Sequence, residues 1–179
     1  MKSVTLSKPS SNCVTFRIPT QRLNELQKEF KAKQVSFNTL INQITKEHLE
    51  WHSLAPQAKL YYLPKSFLMR IIDQLTEEEL CGLARDTAKN DLEDISLFLR
   101  GEFSIASLSN IAETWLRISR MPYRCEINEN GCKIIIEHDM GFKYSYLIKE
   151  ISRYILEVAF ESKTSCDITD NAVVIKLYQ

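Results

Sequence analysis

A single short strand near the start of the chain limits the possible folds more than any other feature. Residues 13–18 alternate apolar and polar side chains, which is the two-residue period of a half-buried strand. The apolar face carries Val14, Phe16 and Ile18, and the opposite face carries Cys13, Thr15 and Arg17. Pro19 follows the strand. It has no backbone N–H to donate to a neighbouring strand, and its fixed φ suits the first turn of a helix.

Two amphipathic helices are predicted after this strand. In residues 20–33, Leu23, Leu26 and Phe30 form one apolar stripe at helical spacing. Ser36 has the character of an N-cap for a second helix. The apolar face of that helix is predicted to contain Phe37, Leu40, Ile41, Ile44, His48 and Trp51.

One strand and two helices in about 40 residues cannot bury enough surface to fold alone, and a single strand has no sheet partner. A homodimer would supply both the missing buried surface and the missing sheet partner, because the strand can pair with its copy across a two-fold axis. The apolar strand residues would then cover the helices, and the polar ones would form an exposed two-stranded ribbon. The major groove of double-stranded DNA admits such a ribbon.

The segments Asn12–Pro19, the Leu-x-x-Leu helix and Val35–Ile44 resemble the ribbon-helix-helix fold of the MetJ/Arc/CopG repressors. The resemblance covers about residues 12–52. It implies that the outward strand residues contact base edges, namely Cys13, Thr15 and Arg17. It also implies that the start of the second helix holds a DNA phosphate through Ser36, Phe37 and Asn38. Lys33 is close in sequence and is predicted to contact phosphate as well.

The chemistry of these residues is consistent with both roles. Arg17 can donate two hydrogen bonds to guanine, and Thr15 can donate or accept. Free backbone N–H groups at a helix start attract anions. Members of the family commonly have glycine in the turn between the helices, where this chain has Gln34, so the geometry of that turn and of its phosphate clamp is left open.

The charge of the chain is unevenly distributed. The 23 basic and 23 acidic residues cancel, but residues 1–52 carry a net charge of +4 and the remainder −4. Pro56 interrupts the helical pattern. These features predict a DNA-binding and dimerisation domain at residues 1–55 and a second domain at residues 59–179.

The second domain is predicted to be α+β. Helical stripes between Pro64 and Ile118 precede two hairpins, which turn at Asn130-Gly131 and Asp170-Asn171 and enclose a helix from about Phe142 to Phe160. The order strand-strand-helix-strand-strand predicts an antiparallel sheet. Such a module would sense a small-molecule effector of unknown identity or promote oligomerisation, and its element order is loosely similar to sensor domains of the four-vinyl-reductase type.

The segment between the first hairpin and its helix contains His138, Asp139 and Lys143. Two interpretations are open: Asp139 is a helix N-cap, or the three side chains form a ligand site at a helix start. Nucleophile-elbow, P-loop, dinucleotide and H-E-x-x-H motifs are absent. The sequence therefore predicts no enzyme, no cofactor and no metal site.

The cysteines at positions 13, 81, 125, 132 and 166 are odd in number and lack a C-x-x-C pair, so we expect reduced thiols. The pattern places Cys125, Cys132 and Cys166 on apolar strand faces as small hydrophobic residues. The first seven residues lack a signal-peptide stretch and no run of eighteen apolar residues occurs, which predicts a cytoplasmic protein without a membrane span.

These features predict a transcriptional regulator of the repressor type that binds specific DNA as a homodimer or a higher oligomer. The alternative is an antitoxin-like or adaptor protein. In that case the N-terminal unit would serve mainly to dimerise, and the C-terminal domain would bind a partner protein.

Overall fold

The computed structural model of the chain describes residues 12–128 and 131–178. The fold divides into two compact units, Met1–Lys46 and Glu47–Gln179. The first unit contains eight basic and two acidic residues, a net charge of +6, and the second therefore carries −6. The charge asymmetry is larger at this division than at the boundary predicted from the sequence.

The N-terminal unit contains two helices in its described part, α1 (Thr20–Ala32) and α2 (Phe37–Glu47). Both helices were predicted. Residues 12–19, the predicted strand and Pro19, form no hydrogen-bonded strand in the single chain. A strand needs a neighbour for its backbone donors and acceptors, and the unit offers none among its described residues.

The turn between α1 and α2 is left-handed despite the absence of glycine. Gln34 has a φ of +54°. Its N–H donates to the Lys31 carbonyl at 3.1 Å, and the Val35 N–H donates to the Phe30 carbonyl at 3.1 Å. These two bonds form a Schellman motif, in which the residue after the C-cap is usually glycine. The tight turn is therefore retained, with backbone strain at Gln34.

Replacement of Gln34 by glycine should remove that strain. A side chain in the left-handed region costs about 1 kcal/mol relative to glycine, and part of the gain is lost to the greater freedom of the unfolded chain. We expect Gln34→Gly to raise the free energy of unfolding by a few tenths to about 1 kcal/mol, measured by urea denaturation. A loss of stability in this variant would contradict the proposed strain.

The C-terminal unit begins with a helical part. A π-helical turn, His48–His52, follows α2 directly. The α-helices of the unit are α3 (Lys65–Gln74), α4 (Glu77–Asp86), α5 (Leu92–Arg100), α6 (Ile105–Ile118) and α7 (Phe142–Arg153), with further π-helical turns at Thr87–Asp91 and Tyr154–Ala159. A capping box begins α4, since Thr76 Oγ1 accepts from the Glu79 N–H and Glu79 accepts from the Thr76 N–H.

The sheet of this unit confirms the predicted strand-strand-helix-strand-strand order. Its strands are β1 (Tyr123–Asn128), β2 (Gly131–Glu137), β3 (Thr164–Ile168) and β4 (Ala172–Tyr178). They are arranged β1-β2-β4-β3, and every neighbouring pair is antiparallel. The protein is thus of mixed α and β structure.

The core of the C-terminal unit includes a residue that the sequence pattern placed on the second helix of the N-terminal domain. Trp51 is buried and packs in a cluster with Ala55, Leu99 and Ile111. A further cluster lies under the sheet and contains Leu116, Ile136, Val173 and Ile175. Trp51 therefore belongs to the core of the second unit.

The inner face of the sheet is not covered along its whole width. Helix α7 packs mainly on β3 and β4, while β1 lies at the opposite edge. Cys125 is consequently exposed and Ile127 is 81% exposed. Cys125 lies on the predicted apolar face, opposite Ile134, but it is exposed there and does not pack as a small hydrophobic residue.

Membrane insertion through a helix is not supported by the part of the chain that the structure describes. None of the helices in residues 12–128 and 131–178 has both the length and the apolar composition needed to cross a bilayer.

Candidate nucleic-acid interface

The segment that precedes α1 is open to solvent on both faces in the single chain. Cys13, Thr15 and Arg17 are exposed, as the proposed contact with bases requires. On the apolar face, Val14 is 75% exposed and Phe16 is 56% exposed. Two large apolar side chains are thus left uncovered within a segment of six residues, which is a costly arrangement unless another surface covers them.

The apolar face continues into a shallow hollow on α1. Ile18 is half-buried and lines this hollow together with Arg22, Glu25, Leu26 and Glu29. Its lining combines two apolar side chains, Ile18 and Leu26, with three charged ones. Protein interfaces likewise combine apolar and polar side chains.

The start of α2 has the geometry of a capped helix, as predicted. Ser36 Oγ accepts a hydrogen bond from the Thr39 N–H at 3.0 Å and lies 2.7 Å from Thr39 Oγ1. Helix geometry leaves the N–H groups of Phe37 and Asn38 without an acceptor inside the helix. These two amides, at the positive end of the helix dipole, are the donors available to an anion.

The Phe37 ring fixes the position of this helix start. It meets the Phe30 ring edge-on, with 6.0 Å between the ring centroids. This contact joins the last turn of α1 to the first turn of α2 across the Gln34 turn. The backbone amides at the start of α2 are therefore held in place before any ligand binds.

Lys33 lies at the C-terminal end of α1, close in sequence to this helix start. Its ammonium group pairs with Glu29 at 2.7 Å, and both side chains are about two-fifths exposed. Such a surface pair contributes at most about 1 kcal/mol. A phosphate can therefore displace Glu29 as the partner of Lys33.

The residues of the other predicted site point in different directions. Lys143 Nζ donates to the carbonyls of Asp73 and Leu75 at 2.7 and 2.6 Å, and so caps the end of α3. Asp139 is exposed and pairs with Lys65. The N-cap of α7 is Gly141 and not Asp139. The structure thus does not bring His138, Asp139 and Lys143 together.

His138 is buried in a hydrogen-bond network that determines its tautomer. Its Nδ1 accepts from the Met140 N–H at 3.3 Å, so Nε2 carries the proton and donates to Ser145 Oγ at 2.8 Å. The Ser145 hydroxyl donates in turn to the Thr169 carbonyl at 2.5 Å. Burial, together with the charge of Lys65, lowers the pKa of His138 below its usual value of 6.5. The neutral imidazole therefore joins β2, α7 and the turn between β3 and β4.

The sequence did not single out Ser145, and no local pattern marks it. Its acceptor, Thr169, lies in the second hairpin, 24 positions away along the chain. Only the folded sheet shows that this serine completes the network of His138.

His138 should make the protein less stable in mild acid. Because the pKa is lowered by folding, the unfolded state binds a proton first as the pH decreases below 6.5. The stabilising contribution is complete above that pH and is lost progressively below it, with a slope of at most about 1.4 kcal/mol per pH unit. Urea denaturation between pH 5 and 7.5 should show a smaller pH slope for His138→Gln than for the unmodified protein. Equal slopes would contradict this role.

The remaining histidines do not form a metal site in the described part of the chain. His52 Nδ1 lies 2.8 Å from the Tyr62 hydroxyl, with the two rings close together. Residues 12–128 and 131–178 contain no group of three or more histidine, cysteine or acidic residues arranged to hold a metal ion.

No protein-family model, no curated protein and no solved structure matches this chain. The function of the N-terminal unit is therefore inferred from its own geometry, charge and residue chemistry.

Proposed function

We propose that the protein is a transcriptional regulator of the repressor type, which binds specific DNA as a dimer with a ribbon-helix-helix N-terminal unit. The observation that carries the proposal is the segment of residues 13–18. It exposes Thr15 and Arg17 on one face and uncovered Val14 and Phe16 on the other, within a unit of net charge +6. The polar face would contact DNA, and the apolar face would pack against a second copy of the chain.

The second copy is needed by the backbone as well as by the side chains. Pairing of two such segments across a two-fold axis would satisfy their unpaired N–H and C=O groups. It would also bury Val14 and Phe16 of both chains against the hollow on α1. A second copy of the chain would thus both cover the exposed apolar side chains and pair with the backbone groups of the segment.

The polar face of the paired strands would enter the major groove. Arg17 would donate two of its guanidinium N–H groups to guanine O6 and N7, and Thr15 would contact a neighbouring base edge. Cys13 would occupy the outermost position of the face. Two copies related by two-fold symmetry predict a palindromic DNA site.

Phosphate contacts would fix the ribbon in the groove. The Ser36-capped helix start would donate the amides of Phe37 and Asn38 to one phosphate oxygen, with Lys33 as a nearby cation. Because this cluster is already held by the Phe30–Phe37 contact and the Gln34 turn, little ordering would accompany binding.

The C-terminal unit would contribute sensing or oligomerisation. Its net charge of −6 would repel the DNA backbone, so that nonspecific contact is limited to the basic unit.

A second candidate function is a protein-interaction module of the antitoxin or adaptor kind. It is favoured by three consecutive exposed apolar residues in the C-terminal unit, Tyr61 (86%), Tyr62 (69%) and Leu63 (57%). Stoichiometric copurification with another protein, combined with no DNA binding at low salt, would favour this candidate over a regulator.

The salt dependence of DNA binding tests the phosphate contacts. Each lost contact should reduce the slope of log K against log salt by about one, so Lys33→Ala in a dimer should reduce it by about two. Affinity should decrease for specific and unrelated DNA alike. Fluorescence anisotropy between 50 and 200 mM salt measures both effects, since a protein with about 6–10 phosphate contacts loses roughly 10³–10⁵ in affinity over that range.

The matched control for this test is Lys89→Ala, which removes the same charge from the C-terminal unit. It should leave the slope unchanged. An unchanged slope in Lys33→Ala as well would show that Lys33 binds no phosphate.

A further inference from the structure

Two thiols face each other on the first hairpin of the C-terminal unit. Cys125 on β1 and Cys132 on β2 have their Sγ atoms 3.5 Å apart. In the register of the pair, Cys125 is opposite Ile134 and Cys132 is opposite Ile127. The two cysteines are thus diagonal neighbours on the same sheet face, where side chains can reach one another.

The surroundings make this pair accessible from solvent. Cys125 is exposed and Cys132 half-buried, and the adjacent Ile127 is 81% exposed, because β1 lies at the edge away from α7. Cys166 differs from them, since it packs half-buried beside Ile168 in the cluster under the sheet. The described residues supply no third ligand that would make the pair a metal site.

We propose that Cys125 and Cys132 form a reversible two-electron redox site, which a low-molecular-weight disulfide oxidises to an intramolecular disulfide. The Sγ atoms need to approach by about 1.5 Å to reach a bonding distance near 2.05 Å. A change of side-chain rotamer, together with a small shift of the two adjacent strands, would supply this movement.

The reaction consists of two exchange steps. The Cys125 thiolate attacks one sulfur of the small disulfide, which forms a mixed disulfide at Cys125 and releases one thiolate. Cys132 then loses its proton to water and attacks Cys125 Sγ, which forms the protein disulfide and releases the second small thiolate. The two released thiolates take up the two protons that the cysteines lost. The two cysteines are oxidised, and the small disulfide is reduced to two thiols.

The different surroundings of the thiols determine their order of reaction. Burial, together with the hydrogen bond to Cys125, raises the pKa of Cys132 to about 11. Cys132 therefore remains protonated at neutral pH and serves as the resolving thiol. The exposed Cys125 meets the oxidant first.

The positions of cleavable residues allow a direct test on the full chain. Arg124 and Lys133 place both cysteines in one tryptic peptide, and Glu126 and Glu129 lie between them. The reduced protein is treated with oxidised glutathione, blocked with iodoacetamide and analysed by mass spectrometry. We expect the peptide of residues 125–133 to lose two hydrogens and to remain linked after cleavage at the two glutamates, with two of five thiols lost.

Two variants complete the test. Cys132→Ser should retain glutathione at Cys125 as a stable mixed disulfide, whereas Cys166→Ser should form the same disulfide as the unmodified protein. A stable glutathione adduct at Cys125 in the unmodified protein would overturn the proposal, as would free Cys125 and Cys132 after oxidation. A disulfide between two chains at either position would also overturn it.

Discussion

Arg17→Ala is expected to weaken binding of the protein to its specific DNA by about 1–3 kcal/mol for each half-site, or about 2–6 kcal/mol for the dimer, and to relax base preference at one position of each half-site. The exposed guanidinium can supply a bidentate contact to guanine that alanine cannot replace. Affinity for unrelated DNA should decrease much less, because only nonspecific charge is lost. A mobility-shift assay on the promoter region of the protein's own gene, with unrelated DNA in parallel, measures both quantities.

The matched control is Arg70→Ala, which removes an exposed arginine from α3 of the C-terminal unit. It should bind DNA as the unmodified protein does. If Arg17→Ala also binds specific DNA with unchanged affinity, the strand does not contact bases and the proposed ribbon is wrong.

Phe16→Glu is expected to prevent the proposed pairing of the two N-terminal strands. Burial of a phenylalanine contributes about 1.5–3 kcal/mol, and each dimer would contain two copies, so the N-terminal pairing should weaken by about 3–6 kcal/mol. This corresponds to a dissociation constant at least about a hundredfold higher. Analytical ultracentrifugation reports the dimer, and hydrogen exchange of the amides of residues 13–18 reports the strand pairing itself.

Thr15→Glu provides the control on the other face of the same strand. It places the same charge one residue away, where the side chain would point toward DNA and not toward the partner chain. We expect it to retain the dimer and the protected amides but to lose DNA binding. Fast exchange of these amides in the unmodified protein would contradict strand pairing.

The C-terminal unit could be predicted well from sequence because its signals are local. The helical stripes between Pro64 and Ile118 and the turn signals at Asn130-Gly131 and Asp170-Asn171 involve residues close in sequence. The spacing of apolar residues also predicted the two hairpins and the helix between them. In the structure, the strands of these hairpins form one sheet in the order β1-β2-β4-β3.

Several helix ends were less predictable because glycine is scarce. The chain has four glycines, and non-glycine residues adopt a left-handed φ at Gln34, Lys59, Arg120 and Glu161. Lys59 and Arg120 complete the same pair of backbone bonds as Gln34. These residues do not favour a left-handed φ, so their sequence gives no signal for the turns.

Long-range contacts account for the other differences between sequence and structure. Trp51 continues the helical pattern of α2, yet its packing partners, Leu99 and Ile111, lie far along the chain. Cys125 has the period of a buried residue, but its exposure depends on how far α7 extends over the sheet. The pattern determines which face a side chain is on, but the neighbours determine whether that face is covered.

The proposed ribbon would depend on a second copy of the chain. The alternation of residues 13–18 predicts a strand, and a strand forms only when its backbone groups find a partner. The capped start of α2 and the turn at Gln34 depend on contacts within the chain, and both are present.

Selection of DNA from a random pool tests the proposed function most directly. The unmodified protein and Arg17→Ala are compared in parallel at about 0.15 M salt, where electrostatic attraction is screened beyond about 8 Å. We predict that the unmodified protein enriches a palindromic motif containing guanine in each half-site, and that Arg17→Ala loses the preference for that guanine. Enrichment of no motif, or of the same motif by both proteins, would contradict the proposal.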